Sequence, residues 1–469
     1  MLNRKIILIF VLIGFLPLPA QILDTIWRYP GLPANLYYIP EGNKLYAIVW
    51  IGETGLRPCV FIIDCATLQV RNIIHIDDWD NLHPAVYNPR HNKVYQTLIC
   101  NVSPPDTMGL AVIDNRSDSV IRYLPIPVMG YCDDAIAVSI TSDKVYAVNN
   151  GGRITILDCS TDTVVKIIEP TSPRPCYFAI WDSVGNQMYF GCGDWISPDI
   201  VTVVNCYTDS VAGLISTGIF QPECACYNHL RRKLYVGSAD ASGLSIIDCV
   251  SNNLIRRIPT PSTQGFFDKT CEYCAEEDKV YWLTVKGIYV IDGKTDTIAN
   301  FIPAPRNERL FQSLAYAEWS NRLYAFAEIG DSFIVYVLDC HTDSVIGQGT
   351  FNGRLPRGAL ANPIDHKIYV SVYWDSAVYV FRDSLQGIAE VQITSQVSQT
   401  SVPTFISNLL LFPESAMGEN QKAVLMDVSG RRVLKLKPGV NDVRCLASGV
   451  YFIRCQGEKG KTDRVVIIR

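Results

Sequence analysis

The chain has 469 residues, of which 48% are hydrophobic and 19% are charged. This balance is typical of a folded globular protein and excludes a disordered or collagen-like chain. The 41 lysine and arginine residues are outnumbered by 46 acidic residues, which gives a formal net charge of -5. Because no basic surface is expected, the composition predicts no nucleic-acid partner.

The first twenty residues have the layout of a secretory signal peptide. Arg4 and Lys5 precede a short apolar run at residues 6–16, which is followed by two prolines and Ala20. A helix that crosses a bilayer needs roughly 20 apolar residues, so this run is too short to be an anchor. We expect cleavage after Ala20, a mature chain that starts at Gln21, and no transmembrane span in that mature chain.

A repeat then organises residues 21–393. A cationic or polar residue, an apolar residue and a tyrosine recur with a mean period of about 46 residues, a spacing that is typical of propeller blades. The tyrosines are Tyr46, Tyr95, Tyr146, Tyr189, Tyr235, Tyr281, Tyr324 and Tyr369. The even spacing predicts eight copies of one structural unit.

Every unit shows the same order of short, alternating segments. The first strand begins at the tyrosine, and the second ends in aspartate or asparagine, as at Asp64, Asp114, Asp158, Asn205, Asp248, Asp292 and Asp339. A polar turn such as 161–163 follows, then a third strand such as 164–168, and a fourth strand such as 135–140 leads to the next tyrosine. Four strands per unit predict an all-β fold built from four-stranded blades.

Stacking such blades in a ring hides sheet faces that no single blade buries alone, which predicts a closed β-propeller. The length of the repeat region favours eight blades, or seven if one unit serves for closure. The eighth unit lacks the usual turn after its second strand and has Asp383 there. Residues 24–26 reproduce the turn-to-strand sequence at 296–298. We therefore expect the N-terminal segment to complete the eighth blade and leave no open edge.

These repeats resemble a known group. The Lys-aliphatic-Tyr strand, the strand that ends in Ile-Asp-Cys or Leu-Asp-Cys, and the Thr-Asp-Thr-Val turn are similar to the YVTN-type propeller repeats of bacterial and archaeal surface and periplasmic proteins. The resemblance covers roughly residues 35–385. It implies the fold and leaves the function open, because this repeat serves many unrelated roles.

The chain contains 16 cysteines, and their positions follow the repeat. One set follows the aspartate or asparagine that ends the second strand: Cys65, Cys159, Cys206, Cys249 and Cys340. A second set lies near the start of the fourth strand: Cys132, Cys176, Cys224, Cys226, Cys271 and Cys274. The repeated position favours packing, and an exported chain also permits disulfides of undetermined connectivity. The alternative, a metal site at residues 224–226 and 271–274, is disfavoured because these pairs occupy equivalent places in successive units.

The residues that enter the fourth strands supply the candidate binding site. Successive units place polar side chains there: His83, Asp133, Asp134, Arg174, Glu223, Lys269, Gln312 and Arg357. This ring would hold a small polar ligand or a protein at one mouth of the central channel, and the alternative is a solvated funnel without a ligand. The sequence has no Gly-x-Ser-x-Gly elbow and no phosphate-binding loop, so we predict no catalytic residue, no cofactor and no metal. The alternative function is a lactonase-like or quinone-cofactor-like propeller enzyme that uses the charged ring.

A second, small domain closes the chain. Residues 394–404 are polar and form a predicted linker. Short apolar strands then follow within 405–469 and predict a β-sandwich, with strands at 409–412, 423–427, 432–436, 442–446, 450–454 and 464–468. The segments 426–433 and 447–454 and the basic-aliphatic end 464–469 resemble the C-terminal sorting domain of the type IX secretion system.

That resemblance implies delivery to the cell surface or the extracellular space through the periplasm, with the secretion machinery as a partner. The residues to which it assigns sorting are Gly430, Arg431, Gly449, Tyr451 and Arg469. An ordinary structural or carbohydrate-binding sandwich is the alternative. We expect an exported propeller that acts as a binding or interaction module, and a purely structural envelope element is a further alternative.

Overall fold

The computed structural model describes residues 23–467 apart from 29–31, 51–57, 77–80, 101–106, 130–134, 150, 170–174, 194–198, 239–242, 261–270, 285, 305–310, 384–403, 407–408, 413–422, 428–430, 438, 444–445, 448 and 456–461. The signal peptide and most of the linker therefore lie outside the described residues. In the described part of the chain the regular structure is β-sheet, with one short 3-10 helix, η1 (Tyr373–Asp375), and no α-helix.

Strands β1–β32 form eight four-stranded antiparallel sheets. In chain order the strands are β1 (Leu23–Arg28), β2 (Leu32–Ile39), β3 (Lys44–Trp50), β4 (Cys59–Asp64), β5 (Gln69–His75), β6 (Asn81–Asn88), β7 (Lys93–Cys100), β8 (Thr107–Asp114), β9 (Ser119–Met129), β10 (Ile136–Ser139), β11 (Lys144–Val148), β12 (Ile154–Asp158), β13 (Thr163–Ile168), β14 (Cys176–Asp182), β15 (Gln187–Cys192), β16 (Ile200–Asn205), β17 (Ser210–Ser216), β18 (Pro222–Asn228), β19 (Lys233–Ser238), β20 (Gly243–Asp248), β21 (Asn253–Pro259), β22 (Cys271–Cys274), β23 (Lys279–Thr284), β24 (Gly287–Asp292), β25 (Thr297–Pro303), β26 (Phe311–Ala317), β27 (Arg322–Ile329), β28 (Ser332–Asp339), β29 (Ser344–Asn352), β30 (Pro356–Asn362), β31 (Lys367–Val372) and β32 (Ala377–Arg382).

The sheets start one strand earlier than the sequence-based units. The strand that sequence analysis placed fourth is the first strand of the next sheet, since β10 pairs with β11 and not with β9. Blades 1 to 7 are therefore meanders of four consecutive strands, from β2–β5 as blade 1 and β6–β9 as blade 2 to β26–β29 as blade 7, and blade 8 combines β30–β32 with β1. The period of the sequence is correct, but its phase was wrong by one strand because a repeat can be started at any of its elements.

The eight blades close into a ring. The first strand of each blade contacts the first strands of both neighbouring blades, from β2 and β6 around to β26 and β30, and β30 contacts β2 again. Eight blades are therefore confirmed over the seven-bladed alternative. Strand β1 pairs antiparallel with β32 and forms the outer strand of blade 8, with Thr25 opposite Val380 and Trp27 opposite Val378. The predicted closure by the N-terminal segment is confirmed.

The core lies between the blades. Clusters of buried aliphatic and aromatic side chains fill the boundaries between neighbouring sheets, while the fourth strands at the rim are mostly exposed. The eight repeat tyrosines are all buried in these boundaries. Because each boundary covers the faces of two sheets, no blade has an independent core.

A hydrogen bond from each repeat tyrosine fastens its blade to the next one, and we call this contact the clasp. Most clasp hydroxyls donate to an aspartate or asparagine side chain beyond the third strand of the following blade, at 2.6–2.8 Å: Tyr95 to Asp162, Tyr146 to Asp209, Tyr189 to Asn252, Tyr235 to Asp296, Tyr281 to Asp343 and Tyr324 to Asp383. In five of these clasps a lysine or arginine two residues before the tyrosine pairs with the same carboxylate, as Lys93 does with Asp162 at 2.6 Å.

The turn that follows the third strand positions the clasp acceptor. Asp162, Asp209, Asp296 and Asp343 all have a left-handed backbone with φ between 51° and 57°, a conformation that Asp and Asn tolerate better than most residues. The aspartate that ends the third strand holds the start of the same turn. Hydrogen bonds from Ser160 and Thr161 hold the pKa of Asp158 below its usual value.

The last part of the chain forms two further sheets. The strands are β33 (Thr404–Ile406), β34 (Leu409–Phe412), β35 (Ala423–Asp427), β36 (Arg432–Leu436), β37 (Gly439–Asp442), β38 (Gly449–Cys455) and β39 (Thr462–Ile467). Five of them form the sheet β33-β39-β38-β35-β36, and β34 pairs with β37. A small buried cluster, including Leu425, Leu436 and Tyr451, lies in this unit. The strand expected at 442–446 is instead found at Gly439–Asp442, and β33 was not expected.

Removing one clasp hydroxyl should destabilise the ring. Tyr281→Phe deletes the donor that lies 2.7 Å from the Asp343 carboxylate, and burial raises the pKa of Tyr281 well above its usual range, so this hydroxyl stays protonated as a donor. We expect a loss of about 1–3 kcal/mol in the free energy of unfolding, measured by chemical denaturation.

Tyr369→Phe is the matched control for this variant. Among the described residues the Tyr369 hydroxyl has no carboxylate hydrogen-bond partner, and it lies 3.5 Å from the Cys65 carbonyl. Its removal should cost less than about 1 kcal/mol. Equal losses in the two variants would contradict a stabilising role for the clasp carboxylate.

Deleting residues 21–30 should weaken the cooperativity of unfolding. The deletion removes β1, leaves β32 as an open edge, and takes away Trp27, which is buried and packs edge-on against Phe61 with ring centroids 5.4 Å apart. Calorimetry should then show a broader and lower melting transition. An unchanged melting curve would contradict closure of the ring by this strand.

Candidate functional site

By sequence count, six residues of the predicted polar ring share one position relative to the second strand of their blade. In each blade the last residue of the first strand pairs with the first residue of the second strand. The residue five places before that last residue is the shared position, and we call it the mouth position. The eight mouth residues are Ala34, His83, Asp134, Tyr177, Glu223, Lys269, Gln312 and Arg357. Six of them come from the sequence-based ring, Asp133 is the neighbour of Asp134, and Arg174 is replaced by Tyr177.

A β-bulge marks the mouth position in most blades. The pairing register between the first and second strands shifts at this place in β2, β6, β14, β18 and β26, and one residue later in β30. A bulge breaks the regular alternation of side chains and changes their direction, and bulges are common beside functional sites. Since the first strands line the ring centre, the bulges lie around one end of it, opposite the turns that carry the clasps.

Three predicted ring residues have described side chains. Glu223 and Arg357 are half-buried, and Gln312 is almost fully buried with no hydrogen-bond partner for its amide nitrogen. The side chain of His83 and all of Asp133, Asp134, Arg174 and Lys269 lie outside the described residues. The position of the whole ring and its convergence on one ligand therefore stay predictions.

Two aromatic residues that sequence analysis missed accompany this ring. Tyr373 belongs to η1, between the second and third strands of blade 8, and the Arg357 guanidinium lies 5.3 Å from its ring centroid. Tyr177 occupies the mouth position of blade 4, and its hydroxyl accepts a hydrogen bond from the Gln221 amide at 3.0 Å. Counting back from the second strand would have identified Tyr177, whereas no local signal points to Tyr373.

A partly buried carboxyl lies on the first strand of blade 6. Glu272 stands in the middle of the first strand of blade 6, and burial raises its pKa to about 7. The group is therefore partly protonated at neutral pH and can donate or accept a proton. Sequence analysis noted this residue only as part of the segment 271–274.

The cysteines that follow the third strands are packing residues. Cys65, Cys159, Cys206, Cys249 and Cys340 are fully buried and form no disulfide. Burial raises the pKa of Cys159 and Cys206 to about 11, so these thiols stay neutral. Their backbone carbonyls contribute to the clasps, as Cys159 does toward Lys93 at 3.2 Å. The packing interpretation is confirmed for this set.

The second set of cysteines behaves differently. Cys176 and Cys192 form a disulfide between the first two strands of blade 4. The Sγ atoms of Cys226 and Cys271 lie 3.0 Å apart, and Cys274 contacts the Asn321 side chain at 3.2 Å. The described residues contain no group of three or more His, Cys, Asp or Glu side chains with a geometry suited to a metal ion.

The predicted sorting residues are only partly described. The exposed Arg431 pairs with Asp427 through its guanidinium at 3.1 Å and through its backbone amide at 3.0 Å. Gly449 begins β38, opposite Ile467, and the buried Tyr451 donates a hydrogen bond to the Ala447 carbonyl at 2.9 Å. Gly430 and Arg469 lie outside the described residues. No described helix is both long and apolar enough to cross a bilayer.

Comparison with known proteins supports the fold alone. No family model matches the sequence, and no curated protein matches it either. Among solved structures, a crystal structure of the computationally designed Ika8 protein matches with a TM-score of 0.57 at 14% identity, over 77% of this chain and 98% of that chain. At this identity the match concerns architecture. The chain is an all-β protein whose eight four-stranded sheets form a closed, propeller-like ring.

Proposed function

We propose that this chain is an exported binding module, whose propeller holds a polar ligand or a protein partner at the mouth positions. The observation that carries the proposal is a contrast between two sets of equivalent positions in the same eight blades. The clasp position holds tyrosine in every blade, whereas the mouth position holds eight different residue types.

This contrast has a physical reading. Both positions repeat eight times in one closed ring, so a purely architectural role would be met by similar residues at each. The clasp follows that rule because every boundary needs the same hydrogen bond. The mouth residues instead differ in charge, size and hydrogen-bonding capacity, and a bulge redirects the chain where they stand. An asymmetric set of polar groups on a symmetric scaffold is suited to one specific, asymmetric partner.

The chemistry of the mouth favours a partner with groups of both charge signs. Glu223 and Arg357 bring opposite charges, Gln312 has a buried amide nitrogen without a hydrogen-bond partner, and Tyr373 contributes an aromatic face beside the guanidinium. Ligand sites usually combine a few such polar groups with aromatic surface. A solvated funnel gives no reason for a buried, unsatisfied amide.

An enzyme is the second candidate, and Glu272 is the observation that favours it. A carboxyl whose pKa is about 7 suits general acid–base catalysis at neutral pH. The lactonase-like and quinone-cofactor-like alternatives also need a metal or cofactor beside it. Glu272 faces the apolar boundary toward blade 7, which weakens this candidate relative to binding.

Export and surface delivery form the second half of the proposal, and the C-terminal unit supports it. The resemblance to YVTN-type repeats and to the type IX sorting domain rests on the sequence. In the C-terminal unit, Asp427 and Arg431 hold the turn between β35 and β36, while β39 pairs with both β38 and β33. A receptor that reads this unit would therefore recognise a folded surface.

Substitutions at the mouth should change binding and leave the fold intact. Glu223→Ala removes a half-buried charge from β18, and we expect its stability to stay within about 0.5 kcal/mol of the wild type. Small polar compounds and extracellular glycans that raise the melting temperature of the wild type should lose this effect in Glu223→Ala and in Arg357→Ala.

Glu276→Ala is the matched control for the mouth variants. Glu276 is an exposed carboxylate in the turn between β22 and β23, at the opposite end of the ring. This variant should retain every ligand-induced shift. Ligands that stabilise all three variants equally would locate binding away from the mouth.

Deletion of residues 464–469 should abolish surface delivery. The deletion removes most of β39, so that β33 and β38 lose their shared partner while the propeller keeps all its strands. The truncated chain should accumulate in the periplasm with a folded propeller, which fractionation and limited proteolysis would reveal.

Two point variants sharpen this test. Arg431→Ala removes an exposed side chain assigned to sorting, and Lys435→Ala removes an exposed basic side chain from the adjacent strand. Arg431→Ala should reduce the surface fraction and Lys435→Ala should not. Normal release of the truncated chain outside the cell would refute the sorting assignment.

A further inference from the structure

Two positions of the first strands meet at every blade boundary, close to the ring centre. In each blade, the side chain two places before the end of the first strand faces the next blade. The side chain three places before the end of the first strand faces the previous blade. Six boundaries join two apolar side chains in one buried cluster: Tyr37 with Ala85, Val86 with Ile136, Ala137 with Ala179, Ile180 with Ala225, Ala315 with Ala359, and Leu360 with Leu36.

The boundary between blades 5 and 6 departs from this rule. Its two positions are Cys226 on β18 and Cys271 on β22, which share a cluster and are 45 residues apart in sequence. Their Sγ atoms are 3.0 Å apart. Because a disulfide bond is about 2.0 Å long, an approach of roughly 1 Å would bring the sulfurs to bonding distance.

We propose that Cys226 and Cys271 form a disulfide that joins the first strands of blades 5 and 6. It would be a covalent link at a boundary that elsewhere depends on apolar packing and the clasp. The link also ties down β22, a four-residue first strand that provides few ladder hydrogen bonds to β23.

Neither strand offers a competing pair within itself. Cys224 and Cys226 are two residues apart on one extended strand, where their side chains are separated by about 6.6 Å, beyond the reach of a disulfide. Cys271 and Cys274 face opposite sides of their sheet, since Cys271 packs toward blade 5 and Cys274 toward blade 7. The geometry therefore selects the pair that crosses the boundary.

Bond formation requires a disulfide oxidant, such as a protein thiol oxidase or oxidised glutathione. The thiolate of one cysteine attacks the oxidant's disulfide and releases one thiol. The second cysteine then attacks the mixed disulfide, releases the second thiol and closes the Cys226–Cys271 bond. The protein loses two electrons and two protons, and the oxidant gains both to become two thiols.

The environment of the pair indicates when this exchange takes place. Burial raises the pKa of Cys226 and Cys271, so both groups are thiols in the closed ring and are poor nucleophiles. Cys226 is only 8% exposed, which also limits the access of an oxidant. The bond should therefore form while blades 5 and 6 are still open, during folding, and should resist reduction once the boundary has closed.

Disulfide mapping of the full-length protein tests the proposal. The chain is refolded with oxidised and reduced glutathione, unfolded in an alkylating reagent, and digested without reductant by a protease that cleaves after aromatic residues. We expect the segment 221–227 to be linked to the segment that ends at Tyr273, and the link to disappear after reduction. The Cys176–Cys192 disulfide is the internal reference for complete oxidation.

Two variants assign the sulfurs, since segment 221–227 holds two cysteines. Cys224→Ala should keep the linked peptide, and Cys226→Ala should lose it and leave Cys271 alkylated. If Cys226→Ala does not fold, the wild type and Cys224→Ala decide the question alone. Full alkylation of Cys226 and Cys271 in the oxidised wild type would overturn the proposal, as would a link from Cys271 to Cys224 or to Cys274.

Discussion

The hydrogen bond from each repeat tyrosine to the following blade is the interaction on which the rest of the structure depends. No blade buries its own faces, so stability lies in the boundaries, and each boundary is fastened by a buried hydroxyl, in most cases with a cation and a carboxylate. The closing boundary is the exception. Leu68 stands there in place of the turn aspartate, and Lys367 instead lies 3.4 Å from Asp24 on β1. The N-terminal strand thus supplies both the missing β-strand and the missing carboxylate.

The two ends of the ring therefore have different structural requirements. At the clasp end the same tyrosine, cation and left-handed aspartate recur, because every boundary has the same geometry to satisfy. At the mouth end most first strands carry a bulge, and the mouth position holds a different residue in each blade. The clasps maintain the fold from one end of the ring. The residues at the mouth end can therefore differ between blades, because a change there does not disturb the clasps. One mouth residue lowers stability, because the amide nitrogen of Gln312 is buried without a hydrogen-bond partner.

The role of each cysteine also depends on its position in the blade. Those behind the third strands are small, neutral, buried residues whose carbonyls assist the clasps. Cys176 and Cys192 stand opposite each other within one sheet and are bonded. Cys226 and Cys271 face each other from neighbouring sheets at a place where other blades use apolar residues. The same side chain therefore serves as a packing group, a link within a blade or a link between blades, according to which strand face carries it.

The sequence by itself determined the period and the all-β class, and it favoured eight blades and the N-terminal closure, because alternation and turn residues are local signals that repeat visibly. It also located six of the eight mouth positions. Only the tertiary structure decided where each blade begins, that the turn aspartates accept hydrogen bonds from the preceding blade, and that Tyr373 lies beside Arg357 and Cys226 beside Cys271. The clasp and cysteine contacts join residues at least 45 positions apart. They depend on how one sheet stacks on the next, which no local pattern specifies.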